Sequence, residues 1–163
     1  MFKGISWVGV VLSLVTTQIL GILWYGPWFG EAWMQLQGRS LSEPPPANLA
    51  WLMAMGTLMN LLWILGVAGS LKLHYNSPLV DRISKLIPAL GSLPFYRRAA
   101  TGKVNALLIW MTIVVPVQSM QFTYAGHPLG LIPIDLGYTF VAFPLVGAIV
   151  GFFSRLPQLQ QDA

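Results

Sequence analysis

Hydrophobic positions in this chain fall in long unbroken runs, separated by short stretches where Gly, Pro and charge collect. Four runs, about residues 4–25, 48–71, 104–124 and 131–153, are each long enough to cross a bilayer. Hydrocarbon about 30 Å thick is crossed by roughly 20 helical residues rising about 1.5 Å each. In lipid, backbone N–H and C=O groups must be bonded within the segment or around a closed barrel. The runs lack the apolar–polar alternation of barrel strands. The pattern predicts an all-α fold, an integral membrane four-helix bundle, with residues 1–163 forming one membrane domain. The first run is too long for a signal peptide, and Trp24-Tyr25-Gly26-Pro27 stands where small cleavage-site residues would be, so a retained helix is expected.

The intervals between the runs carry their own patterns. Trp24 and Tyr25 close the first run with rings that have an apolar body and a polar tip, suited to the headgroup level. Pro27 cannot continue the helix ladder, and Gly26 and Gly30 permit a change of direction. Phe29, Trp33 and Leu36 then recur at helical spacing, which predicts a short interfacial helix. In the middle interval, about residues 72–103, Ser77 and Pro78 form a helix start. Leu79, Ile83, Leu86 and Leu90 follow on one face, with Asp81, Arg82, Ser84 and Lys85 on another. Two readings stand for this interval: an amphipathic helix on the inner leaflet, or a solvated basic loop.

Charge and composition settle the setting. Of 163 residues, 55% are hydrophobic and 9% charged, with mean hydropathy +0.65; a soluble domain carries about 25% charged residues. The formal net charge of +4 suggests nucleic acid only until the bases are located. Four spans put Lys3, Lys72, Arg82, Lys85, Arg97, Arg98, Lys103 and Arg155 on one side of the membrane and Arg39 alone on the other. That is a topology signal, placing both termini in the cytoplasm, with no nucleic-acid partner. The expected partners are the lipid bilayer and a second copy or another membrane protein. The chain has no Cys, hence no disulfide framework or thiolate chemistry.

With this topology the interval "YAGHPLGLIPIDLGY" meets the aromatic stretch at the outer leaflet. A small binding site is expected there, built from Trp24, Tyr25, His127, Asp135 and Tyr138, with Glu31, Asn48 and Trp51 on the same side. Asp135 is the one formal charge within a span, a functional candidate by that fact, although the start of a helix also favours negative charge. His127 has the chemistry of a proton switch, but between Gly126 and Pro128 it also reads as a polar turn residue. Neither metal-ligand nor phosphate-loop spacing occurs, and no serine sits in an activated pattern, so no metal or cofactor is expected. A non-enzymatic packing and binding protein is the leading expectation. The alternatives are an oligomeric permease or channel for a small solute or ion, and a membrane enzyme using Asp135 or Glu31 with His127.

Residues with other jobs are also visible. Asn105, Thr112, Pro116, Ser119 and Thr123 form a polar stripe on the third span that could line a path between two copies. Such stripes also arise from interhelical hydrogen bonds, as Ser6, Ser13, Thr17, Thr57 and Asn60 on the first two spans would. Gly147-x-x-x-Gly151 and Ala50-x-x-x-Ala54 allow close helix approach.

"LWYGPWFGEAWM", "GHPLGLIPIDLGY" and "FPLVGAIVGFF" together resemble a family of small bacterial inner-membrane proteins catalogued as a domain of unknown function. Its pattern is W-Y-x-P-x-F-G-x-x-W-M closing the first helix and G-x-P…N-x-G-Y opening the fourth, over about residues 5–36 and 105–153. The resemblance implies four spans and carries no activity. It also implies Asn at the position of Asp135, so a carboxylate there is not called for by the pattern, and a connection shorter than residues 72–103.

Overall fold

A computed structural model of the chain describes residues 5–40, 44, 47–75 and 95–154. Helix α1 spans Trp7–Leu23 and starts at Ser6, whose hydroxyl accepts a hydrogen bond from the Gly9 N–H. It passes into a π-helical turn, Trp24–Trp28, and then into α2, Gly30–Leu36. Helix α3 covers Leu49–Tyr75. Helix α4, Phe95–Ile109, continues through a second π-helical turn, Trp110–Val114, into α5, Val115–Ala125. Gly126, with φ +67°, ends α5 in the left-handed conformation that a residue without Cβ adopts most easily. Helix α6 spans Leu131–Phe153.

Four helical runs, Trp7–Trp28, Leu49–Leu73, Arg98–Ala125 and Leu131–Phe153, are long and apolar enough to cross a membrane. The chain is a multi-pass membrane protein with an all-α fold. Two boundaries differ from the hydropathy pattern: α3 continues to Tyr75, and the third span's helix begins at Phe95 rather than near Val104. A helix ends where its hydrogen-bond ladder ends, not where its side chains stop being apolar. The amphipathic stretch over residues 77–90 lies outside the described residues.

Helix α6 is the hub, touching α1, α3, α4 and α5. Its tightest partner is α4, where small residues let the backbones meet. A Cβ added at Gly102 would run into the Gly147 carbonyl, one at Gly147 into the Gly102 carbonyl, and one at Gly151 into the Arg98 carbonyl. Gly147-x-x-x-Gly151 thus serves contact within the bundle. Around this seam lies the core of Val10, Ile64, Val67, Ala68, Leu71, Ala106, Phe143, Val146 and Val150. It occupies the half of the bundle that carries Ile5 and Ser154. Arg98 closes that end, its Nη1 donating to the Ser154 carbonyl at 2.8 Å.

Several polar side chains on the spans tie helices together, while Thr17, Thr112 and Thr123 bond carbonyls of their own spans. Gln18 of α1 donates to Thr57 at 2.6 Å and accepts from Asn60 at 3.2 Å, and Asn60 accepts from Trp63 Nε1 at 2.9 Å. Asn105 donates to Ser70 at 2.8 Å. The expected stripe on the third span is therefore broken: Asn105 faces inward, whereas Thr112, Ser119 and Thr123 are exposed. The π-helical turn explains this. A turn closed by i→i+5 bonds holds an extra residue, which rotates everything beyond it relative to uniform α spacing. Pro116, just past that turn, has no N–H to give to the Thr112 carbonyl, so the looser geometry falls where the ladder is already interrupted.

Candidate functional site

At the opposite end of the bundle the first and fourth spans meet through side chains. Pro27 and Gly26 (φ −108°, ψ −105°) turn the chain inside the first π-helical segment, where the Phe29 N–H reaches the Trp24 carbonyl at 2.9 Å. Gly30 must then pass under Tyr25, since a Cβ there would lie 2.5 Å from the Tyr25 carbonyl oxygen. This folds α2 back over the end of α6, where Leu36 lies on Gly130. Arg39 N–H to the Met34 carbonyl (2.9 Å), Gly38 N–H to the Gln35 carbonyl (3.0 Å) and Gly38 at φ +71° close α2 as a Schellman cap.

The fold-back brings two donors onto one carboxylate oxygen. Tyr25 Oη donates to Asp135 Oδ1 at 3.0 Å, and Trp33 Nε1 donates to the same oxygen at 3.2 Å. The Tyr25 and Trp33 rings meet edge to face, 5.4 Å apart, and the Tyr25 and Tyr138 rings lie 5.3 Å apart. Tyr138 Oη donates back to the Thr17 carbonyl of α1 at 3.2 Å. Asp135 lies one turn inside the start of α6, at headgroup depth rather than mid-bilayer if α6 spans the hydrocarbon.

Beside this cluster α5 stands away from α6 and leaves a cavity of about 370 Å³. Tyr25, Asp135, Tyr138 and Thr139 form one wall, Gln118, Gln121 and Phe122 of α5 another, and Gln37, His127 and Leu131 complete it. Thr139 is held in place, accepting from Trp110 Nε1 at 3.0 Å and lying 3.5 Å from Gln118 Oε1. Such a volume falls in the range of about 300–1,000 Å³ typical of small-molecule sites.

The five residues singled out in the sequence separate into two roles. Tyr25, His127, Asp135 and Tyr138 line the cavity. Trp24 sits behind it, donating from Nε1 to the Ile134 carbonyl at 3.0 Å and lying against Gly137. His127 is an exposed rim residue whose ring meets Phe122 at 6.0 Å. Glu31 and Trp51, expected on the same side, stay outside. Glu31 is exposed and accepts from Gln35, and Trp51 is 64% exposed on α3. Asn48 is likewise exposed, its carbonyl accepting from Leu52.

Trp33, Gln118 and Thr139 were missing from that reading. Thr139 falls one turn after Asp135, and Trp33 is the second Trp of the W-Y-x-P-x-F-G-x-x-W-M pattern. Gln118 had no sequence signal, because only the divergence of α5 gives it a cavity to face. Among the described residues no three His, Cys, Asp or Glu side chains gather as metal ligands. The arrangement offers a ligand one carboxylate, amides, hydroxyls and aromatic side chains.

No curated protein and no solved structure gave a match to the chain. Residues 8–151, by contrast, match the family described as "Protein of unknown function (DUF1761)", and over that length the chain belongs to this family.

Proposed function

We propose that the protein is a non-enzymatic binding protein of the bacterial inner membrane, with a small-ligand site at the periplasmic end of its bundle. The carrying observation is the cavity itself. It is lined by a carboxylate already held by Tyr25 and Trp33, and it opens where α5 leaves α6. The Lys and Arg distribution supports the orientation: Lys72, Arg98 and Lys103 stand at the end carrying Ile5 and Ser154, Arg39 at the cavity end. Catalysis gains no support from a rim His127 with no hydrogen bond to Asp135. A permeation path gains little from the third-span stripe, since Thr112 and Thr123 give their hydroxyls to the Leu108 and Ser119 carbonyls of their own helix.

Self-association accompanies this reading. Ala50 and Ala54 lie one turn apart on an exposed face of α3, where a second copy could pack backbone to backbone. Chemical crosslinking in mild detergent should give a dimer or higher species, and a monodisperse lone monomer would count against association.

The binding site is tested by filling it. Gln121 lines the cavity and is exposed, so Gln121→Trp occupies the space while the Tyr25–Asp135–Trp33 cluster stays intact. Native mass spectrometry of wild-type protein should show a retained small molecule or lipid that Gln121→Trp loses. Equal retention by both would remove the site.

A further inference from the structure

We infer that the cavity recognises an organic ammonium group, on a free amine or an amine-bearing lipid headgroup, with Asp135 as its counter-ion and the tyrosine rings as its walls. This rests on the binding reading above and names its ligand class. A half-buried carboxylate at headgroup depth is not deep in hydrocarbon, but its charge still draws a compensating cation. Here both described donors to Asp135, the Tyr25 hydroxyl and the Trp33 indole, are neutral, and both go to Oδ1. The second oxygen, Oδ2, receives no donor from the described residues. Among the described residues neither Lys nor Arg lines the cavity, whose other polar walls are Gln37, Gln118, Gln121, Thr139 and the rim His127. The lining is therefore negative or neutral, which disfavours an anion.

The same walls choose among cations. A bare metal ion wants several oxygen or nitrogen ligands from the protein, and no cluster of three acidic or imidazole side chains exists among the described residues. The space, about 370 Å³, is also far larger than such an ion. Tyr25, Tyr138 and Phe122 are the aromatic residues among its lining. Ring faces attract weakly hydrated organic cations, and a tyrosine donating its hydroxyl proton to a carboxylate is the more electron-rich for it. One carboxylate and aromatic walls together make a receptor for a substituted ammonium.

Choline chloride titrated into the full-length protein in maltoside detergent provides the test, followed by Trp fluorescence and by calorimetry. Dimethylbutanol, the uncharged carbon isostere of choline, and potassium chloride serve as comparison ligands. Wild-type protein should bind choline, bind the isostere much more weakly, and ignore potassium at equal ionic strength. Asp135→Asn keeps an Oδ1 that accepts from Tyr25 and Trp33 while removing the charge, and should weaken choline binding on the order of tenfold or more without changing isostere binding.

If choline and the isostere bind equally, or Asp135→Asn binds choline like wild type, the ammonium assignment is overturned and the cavity reading survives. If neither compound binds, and Gln121→Trp changes nothing, the cavity reading falls and takes this one with it. The wild-type comparison decides even should a variant fail to fold. Reconstitution into vesicles of phosphatidylethanolamine and phosphatidylglycerol separates the sources. Phosphatidylethanolamine retained by wild type and lost by Asp135→Asn assigns a headgroup. Retention indifferent to the substitution, beside choline binding that depends on it, assigns a free amine.

Discussion

Helix α6 meets the third span twice, and the two meetings are built differently. Against α4, Gly102, Gly147 and Gly151 bring carbonyl and Cα into contact, with Ala106 sealing the seam. Against α5 there is no such seam. The helices stand apart, and α6 is held from its other side by Tyr25, Trp33 and Trp24. Dispersion between close backbones needs no particular chemistry and leaves no room, whereas hydrogen bonds from long side chains leave a gap beside them. One half of the bundle is thus specified by what its residues lack, and the other by what they reach. The reaching half keeps the cavity.

The largest effect should come from breaking the first half. Gly147→Val places methyl groups where the Gly102 carbonyl and the Ala106 Cβ already lie, and neither helix can yield without separating along the seam. Stability in detergent should fall by about 3 kcal/mol or more, read as a lowered melting temperature. A loss no larger than that of an exposed-site substitution would show that backbone contact is not what joins α4 to α6.

Next in size is a pair of substitutions that divides hydrogen bonding from charge in the second half. Asp135→Ala leaves the Tyr25 hydroxyl and the Trp33 indole without their acceptor, at a cost of about 2 kcal/mol. Asp135→Asn keeps the acceptor and should stay within about 0.5 kcal/mol of wild type. Thermal melts of the two variants side by side read the difference. Equal destabilisation would mean that the charge, rather than the acceptor, holds α2 and α6 together.

How much of this the sequence disclosed follows the same division. The spans were legible because hydropathy over some twenty residues is a summed signal that local irregularity cannot erase. Gly147-x-x-x-Gly151 was visible as a close-contact motif, but its partner Gly102 was hidden, since a position among Arg98 and Lys103 reads as loop when charge is taken to end a helix. At the other end, Tyr25, Asp135 and Tyr138 were legible as polar or amphipathic residues placed on one side by topology. Their cavity was not, because it forms where α5 stands away from α6, and nothing in the residue pattern of α5 marks that divergence. The polar spacing from Asn105 to Thr123 was legible too, and Asn105 makes an interhelical bond, but the π-helical turn that splits the stripe was not visible.

A smaller effect is expected at Gln18, which joins α1 to α3 midway between the two halves. Hydrogen bonds between membrane helices average about 0.6 kcal/mol, so Gln18→Leu should cost about 1 kcal/mol for the two it breaks. Asn60 and Thr57 keep other partners, Trp63 Nε1 and the Met53 carbonyl, which limits the damage. A much larger loss would move the centre of specification from the α4–α6 seam to this network.

Smallest of all should be the double substitution Thr112→Val with Ser119→Ala. Both residues are exposed, and the Thr112 hydroxyl bonds the Leu108 carbonyl of its own span, so neither side chain ties the third span to another described helix. Removing them should change stability by less than about 0.5 kcal/mol, and choline binding at the cavity should stay at the wild-type level. The outcome matters because it separates the two faces of the third span. Gln118, Gln121 and Phe122 look into the cavity, while Thr112 and Ser119 stand among those outside it. Were the double variant to lose ligand binding or its crosslinked dimer, the exposed face would be completing the site across a second copy. The open half of the bundle would then be finished by association rather than by α2.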